Sequence, residues 1–191
     1  YFQASSNSNQ NRGLYIAIEK LLSPIVFDEL RNKRNLGYLV GCGYFPVNKR
    51  PGLALYVQSP SHASNNLYTA ITEVLEEFVQ NIEEFAPIFD NFKESLKKQF
   101  RVFDANTNQL AQRLWMDFDD LTISTKNNQM EHAIDALTFD LFKKGCENLT
   151  ADSFVGKAIF ITEPKTEQSN SFAGFEFIED PTAFKHIVKY Q

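Results

Sequence analysis

Arg31 and Tyr38 are the two residues of this chain whose types and spacing could do chemistry together. They lie in Ser23 to Gly43, SPIVFDELRNKRNLGYLVGCG, which reads as a short amphipathic helix running straight into a strand. A guanidinium is a fixed planar cation and a phenol is a compact hydrogen-bond donor. On one surface the pair suits gripping a peptide carbonyl or an anion. The alternative is structural: Arg31 caps the last helical carbonyls and Tyr38 is an ordinary strand aromatic.

Other groups that could do chemistry carry less. A hydrolytic zinc site needs about three protein ligands and an open position, commonly two imidazoles a helical turn apart plus a carboxylate. The chain holds three His: His62 in a turn, His132 on a helix and His186 in the tail. They share no motif. Asn128 to His132, NQMEH, has the HxxEH spacing with Asn where the first imidazole would stand, so it lacks one of the paired ligands. Ser, His and Asp occur without a nucleophile elbow, and the eight Gly form no phosphate loop. Cys42 and Cys146 are too far apart for a metal knuckle or CxxC, and two are too few for a disulfide scaffold. Glu76-Glu77, Glu83-Glu84 and Asp119-Asp120 read as solvated helix faces, Asn148-Leu149-Thr150 as a formal glycosylation sequon, and Trp115 with the Phe stripe as core.

The elements that must position Arg31 and Tyr38 follow from capping and periodicity. Ser23 reads as an N-cap and Pro24 as the first helical residue, with Val26, Phe27 and Leu30 on the buried face and Asp28, Glu29, Asn32 and Lys33 toward solvent. Gly37 permits a tight exit into Tyr38-Leu39-Val40, the start of a strand running to Phe45. Ahead lie a strand at Tyr1 to Ser5 and a helix from Asn11 to Leu22 with Leu14, Ile18, Leu21 and Leu22. Behind lie turn residues from Pro46 to Gly52 and a second strand, Leu53 to Gln58, making an antiparallel hairpin.

Helices are predicted over Ser64 to Asn81, capped by Ser61 or Ser64, and over Pro87 to Phe103 with a Phe89, Phe92, Leu96, Phe100, Phe103 stripe. A further helix starts near Asn108 and carries Leu110, Leu114, Phe118 and Leu121, and the next uses Met130, Ile134 and Leu137. Thr138 caps Phe139 to Lys144, which Gly145 ends. Ala158 to Thr162 is the closing strand, Glu163 to Asp180 is mostly loop, and Pro181 to Gln191 forms one more helical turn or stays mobile. The pattern is α+β, a mainly antiparallel sheet covered on one face by helices. Residues 1–163 make one module, with 164–191 as its loop-rich tail.

Composition sets the class. With 191 residues, 43% hydrophobic and 23% charged, the chain is one globular domain able to bury a core, and 18 Phe argue for aromatic-filled interfaces between helices and sheet. A net charge of −5 leaves no basic footprint for nucleic acid. No apolar run approaches the roughly 18 residues a membrane span needs, and no signal peptide is read.

The segment FDELRNKRNLGYLV resembles the Leu-Arg-x-Lys/Glu-x-x-Leu-Gly-Tyr signature in the C-terminal half of the insulinase/pitrilysin family of zinc metallopeptidases; Leu30, Arg31, Leu36, Gly37 and Tyr38 sit at its spacing. The resemblance extends to the strand before the first helix, the Leu53 to Ser59 strand and the Leu137-Thr138 cap. It implies the insulinase/mitochondrial processing peptidase-like module, one of four related modules enclosing a chamber. The family's HxxEH zinc motif lies on the first helix of the N-terminal domain, whereas the corresponding helix here contains Glu19 and no His.

The resemblance therefore implies a C-terminal, non-zinc-binding domain of a metalloendopeptidase that degrades peptides. It also implies no cofactor in this chain and zinc in the N-terminal domain of the parent. Arg31 would bind substrate peptide, and Tyr38 would bind substrate and support the transition state. The implied partners are the N-terminal catalytic half of the same polypeptide and peptide substrates, with no nucleic acid and no membrane. A periplasmic or secreted parent is implied, with a cytoplasmic one open. The family also has members without the zinc motif, so an inactive interaction or assembly module is the competing expectation.

Overall fold

Ile18, Leu22, Val26 and Leu30 stand four residues apart and are all fully buried. This continuous stripe keeps one helix, α1 (Asn9–Phe27), intact through Ser23-Pro24 and onward into a π-helical segment, Asp28–Lys33. The computed structural model describes residues 1–101, 106–108, 110–111, 126–151, 156–162, 172, 174–176 and 178. The expected helix start at Ser23 is therefore corrected: Ser8 is the N-cap, its Oγ accepting the Asn11 N–H at 3.1 Å. An interior proline costs about 3 kcal/mol. Burying each Ile, Leu or Val returns about 1.5–3 kcal/mol, so the four-residue stripe outweighs the break. Ser23 instead donates its hydroxyl to the Cys42 carbonyl at 3.1 Å, tying α1 to the sheet. Phe27, expected on the buried face, is exposed.

Among the described residues the sheet has three strands in the order β1-β3-β2, all antiparallel: β1 (Phe2–Gln3), β2 (Leu39–Tyr44) and β3 (Gly52–Gln58). Register runs from Leu39 opposite Gln58 to Tyr44 opposite Leu53. The hairpin closes through Val47 and Arg50, which exchange both backbone hydrogen bonds, with Asn48 and Lys49 at φ of 50° and 65°. Two successive positive-φ residues give the tight turn whose twist matches the strands. Val40 and Cys42 are buried beneath α1, whereas Leu39 and Tyr56 are exposed on the opposite face. Helices thus cover one face of the sheet, as the α+β pattern requires. The expected closing strand at Ala158 to Thr162 is reduced to backbone pairing beside β1: Lys157 bridges Phe2, and Tyr1 and Ala158 exchange hydrogen bonds at 2.9 Å. Beyond it Phe160 is 84% exposed.

Further elements among the described residues include α2 (Ser64–Gln80), a 3-10 stretch (Ile82–Ile88), α3 (Phe89–Arg101), α4 (Lys126–Asp135) and α5 (Phe139–Thr150). Ala63, without a side-chain cap bond, starts α2 in place of Ser61 or Ser64, and Pro87 lies in the 3-10 stretch rather than opening α3. Thr138 does cap α5, accepting the Leu141 N–H at 3.3 Å. The helix runs past Gly145, which packs so closely on Leu14 that an added Cβ would sit 2.7 Å from Leu14 Cδ1. Gly145 is a contact glycine, not a terminator. Phe89 joins Phe139 and Phe142 at ring-centroid distances of 5.4 and 5.1 Å, and of the expected stripe Phe89 and Leu96 are buried, Phe92 and Phe100 pack partly buried against the core, and Phe103 lies outside the described residues. The expected positions of Leu114, Phe118, Leu121 and Trp115, and His186 with the tail, lie outside the described residues. No helix among the described residues is long and apolar enough to cross a membrane.

Lys97 fastens α3 to α4. Its side chain is almost wholly buried, and its ammonium emerges 2.6 Å from both Glu94 Oε1 and Asp135 Oδ1, two exposed carboxylates. The hydrogen bond from Lys97 is the largest cause holding the Asp135 carboxyl below its ordinary 3.8, and the same bond holds the Lys97 ammonium above its ordinary 10.5. A depressed carboxyl contributes stability above its unfolded value, lost as pH falls through the folded one; a raised ammonium contributes below its unfolded value, lost as pH rises through the folded one. The bracket is therefore intact between these limits. Asp135→Asn is expected to lower the thermal midpoint at neutral pH and to flatten its fall as pH drops through and below the ordinary carboxyl value of 3.8. A midpoint-versus-pH series checks this; an unchanged acid limb would show the bracket to be idle.

Candidate functional site

Arg31 sits in the π-helical segment, and the segment ends in a way that aims the next residues. The Arg34 N–H bonds the Glu29 carbonyl at 3.0 Å, and the Leu36 N–H reaches back to the Leu30 carbonyl at 3.0 Å. Asn35 takes the left-handed φ of 49° that lets the chain turn between them, a conformation asparagine tolerates. Buried Leu36 then plugs the chain onto the core. On the outside, Arg34 pairs with Glu73, bracing the segment's end against α2, and Lys33 pairs with Glu29 within the segment. π-Helical turns recur at functional sites, and this one brings the arginine to the base of a loop.

That loop is Gly37-Tyr38. Arg31 Nη1 donates to the Gly37 carbonyl at 2.5 Å, so the half-buried guanidinium grips the peptide link that leads into Tyr38. Gly37 is pressed against β3: a Cβ there would lie 2.1 Å from the Gln58 carbonyl oxygen. Tyr38 projects from this fixed point with 64% of its surface exposed, and its hydroxyl has no partner among the described residues. Leu39 and Tyr56 are exposed as well, on the open face of the sheet. The structure thus brings Arg31 and Tyr38 to one loop. It joins them through a backbone carbonyl that spacing alone did not suggest. The signal that could have exposed the carbonyl is the Leu-Gly-Tyr order itself, since glycine before an exposed aromatic fits a close backbone approach.

The other candidates stay apart. His62 lies in a polar turn with Nδ1 at 3.0 Å from Ser59 Oγ and 3.2 Å from Ser61 Oγ, while Ser59 Oγ also accepts the Ser61 and His62 amides, as a turn cap does. His132 is exposed on α4. Glu19 faces Lys20 at 3.4 Å. Among the described residues no cluster of three or more His, Cys, Asp or Glu is placed to hold a metal. Cys42 and Cys146 are buried free thiols; burial first, and the Glu19 carboxylate second, push Cys42 up to about 12, and burial pushes Cys146 up as well. Neither is a thiolate near neutral pH.

Comparison with known proteins places this loop in a lineage. Residues 17–115, which include the whole Arg31 to Tyr38 segment, match the family described as PQQ synthase PqqF-like, C-terminal lobe domain 4. The chain belongs to this family. It is a C-terminal lobe domain of the insulinase/pitrilysin group. It is 32% identical over 98 residues to the insulin-degrading enzyme of Drosophila melanogaster, covering 50% of this chain and 10% of that protein. Its fold is similar to that in the crystal structure of pitrilysin, with a TM-score of 0.65 at 17% identity over 77% of this chain and 16% of that one. The lobe domain thus spans about a tenth of the length of the curated relative. At this identity the pitrilysin likeness is one of fold, and it agrees with the antiparallel sheet under helices described above.

Proposed function

We propose that this lobe domain is the C-terminal, non-zinc-binding part of a zinc metalloendopeptidase that degrades peptides, and that it lends substrate-binding and transition-state contacts to a metal site in the N-terminal half of the parent. The observation that carries the proposal is an exposed phenol, Tyr38, on a loop held from two sides in a domain of a peptidase lineage. Binding contacts speed a reaction when they are stronger in the transition state than in the ground state, and an exposed phenol donor on a braced loop suits an oxyanion that appears only there. Zinc, bound in the other half, would supply the activated water. The relatives' printed names, an insulin-degrading enzyme and pitrilysin, fit peptides as the substrate class.

The full-length parent tests this. Incubated with a library of quenched fluorescent peptides, it is expected to cleave a subset and to lose that activity to a metal chelator. Absence of cleavage by folded, zinc-supplied protein would instead support a lobe that only assembles with its partners.

A further inference from the structure

Arg31, which the family resemblance makes a contact for the peptide, donates one of its five N–H groups to the Gly37 carbonyl of its own chain. We propose that Arg31 is a positioning residue for Tyr38, a clamp that sets the loop from which the phenol reaches into the site. The inference rests on the peptidase reading above, and it adds how the arginine acts there.

Three observations carry it. The acceptor is the carbonyl directly preceding Tyr38, so the bond fixes the peptide plane from which the Tyr38 backbone starts. The same glycine is pinned on its other side by the Gln58 backbone, leaving Arg31 as the charged donor that holds the loop against the helix end. Finally, Arg31 stands in the wide π-helical turn that ends at left-handed Asn35, a local geometry that brings a helical side chain back over the chain six residues ahead. A charge-assisted bond in a half-buried setting is stronger than a neutral one, so it can define one loop conformation among several.

A residue acting through another shows non-additive effects, whereas an independent substrate contact multiplies. In the full-length parent, Arg31→Met is expected to lower kcat/KM by about 10–100-fold, chiefly in kcat, and to cost nothing further in a Tyr38→Phe background. Arg31→Lys, which can still reach a single carbonyl, is expected to recover part of the loss. Amide hydrogen exchange gives a readout that needs no turnover: the Asn35 to Leu39 segment should exchange at least about 10-fold faster in Arg31→Met, with the α1 and α5 segments unchanged. Unchanged exchange in that segment would overturn the clamp, and so would multiplicative losses in the double variant, which would return Arg31 to direct peptide contact. If Tyr38→Phe is itself silent in an active parent, the peptidase role of the loop fails instead, and the exchange experiment alone decides the clamp.

Discussion

Tyr38→Phe in the full-length parent is expected to lower kcat/KM by about 10–1000-fold, the loss typical of one donor aimed at a developing oxyanion. The substitution removes a single oxygen from a ring that is 64% exposed and keeps every apolar contact the ring makes. Loss of fold therefore cannot account for a loss of rate. The hydroxyl has no partner among the described residues that its removal would leave unsatisfied, so the stability of the lobe should move by less than about 0.5 kcal/mol, as for ordinary surface changes. The expected signature is a fall in kcat with KM nearly unchanged, because a contact made only in the transition state does not hold the ground-state substrate. Wild-type turnover in the variant would remove Tyr38 from the chemistry and leave the loop with an assembly role. Defects in complex size after substitution on the open face, at Leu39 or Tyr56, would then be the consistent companion result.

The sequence carried the site's ingredients further than its geometry. Helical and strand periodicities placed α1, the hairpin, α2, the Phe stripe of α3 and the Thr138 cap, because each is a local pattern of apolar spacing or capping chemistry. Errors arose where a tertiary contact overrode a local signal. Ser23-Pro24 has the local form of a helix start, yet the buried stripe from Ile18 to Leu30 carries α1 across it. Gly145 has the form of a helix stop, and its smallness serves Leu14 instead.

At the site the same exchange occurs between neighbours. The conformational freedom expected of Gly37 is used by Asn35, which alone in that turn takes a positive φ. Gly37 is required for the space it leaves to Gln58. No periodicity reports a contact between residues so far apart in the chain. The partnership of Arg31 with the Gly37 carbonyl was hidden for the same reason, since it depends on a π-helical turn that propensities do not single out.

Gly37→Ala follows from that contact and separates space from conformation. The added methyl would stand 2.1 Å from the Gln58 carbonyl oxygen and 2.9 Å from its carbon, both backbone atoms of β3 held in the ladder with Leu39. Neither can step aside without breaking that pairing, so the loop must lift. The expected cost is about 3 kcal/mol, the upper part of the range for overpacking. Lifting the loop also carries away the Arg31 acceptor and the origin of Tyr38, so kcat/KM should fall at least as far as in Tyr38→Phe.

Two sister substitutions serve as controls. At Gly41 the obstacle is Tyr56 Oη at 2.5 Å, the far end of a side chain on the open face that can swing outward, so Gly41→Ala should cost less than about 1 kcal/mol. At Gly43 a Cβ meets nothing within 4 Å, and removing strand glycine's excess freedom should stabilise by up to about 1 kcal/mol. Hydrogen exchange of the β2 and β3 segments in the full-length parent, read beside kcat/KM, orders the three variants. Should Gly37→Ala retain kcat/KM within about threefold of wild type, the loop tolerates displacement and neither Gly37 nor the arginine beneath it sets the phenol's position.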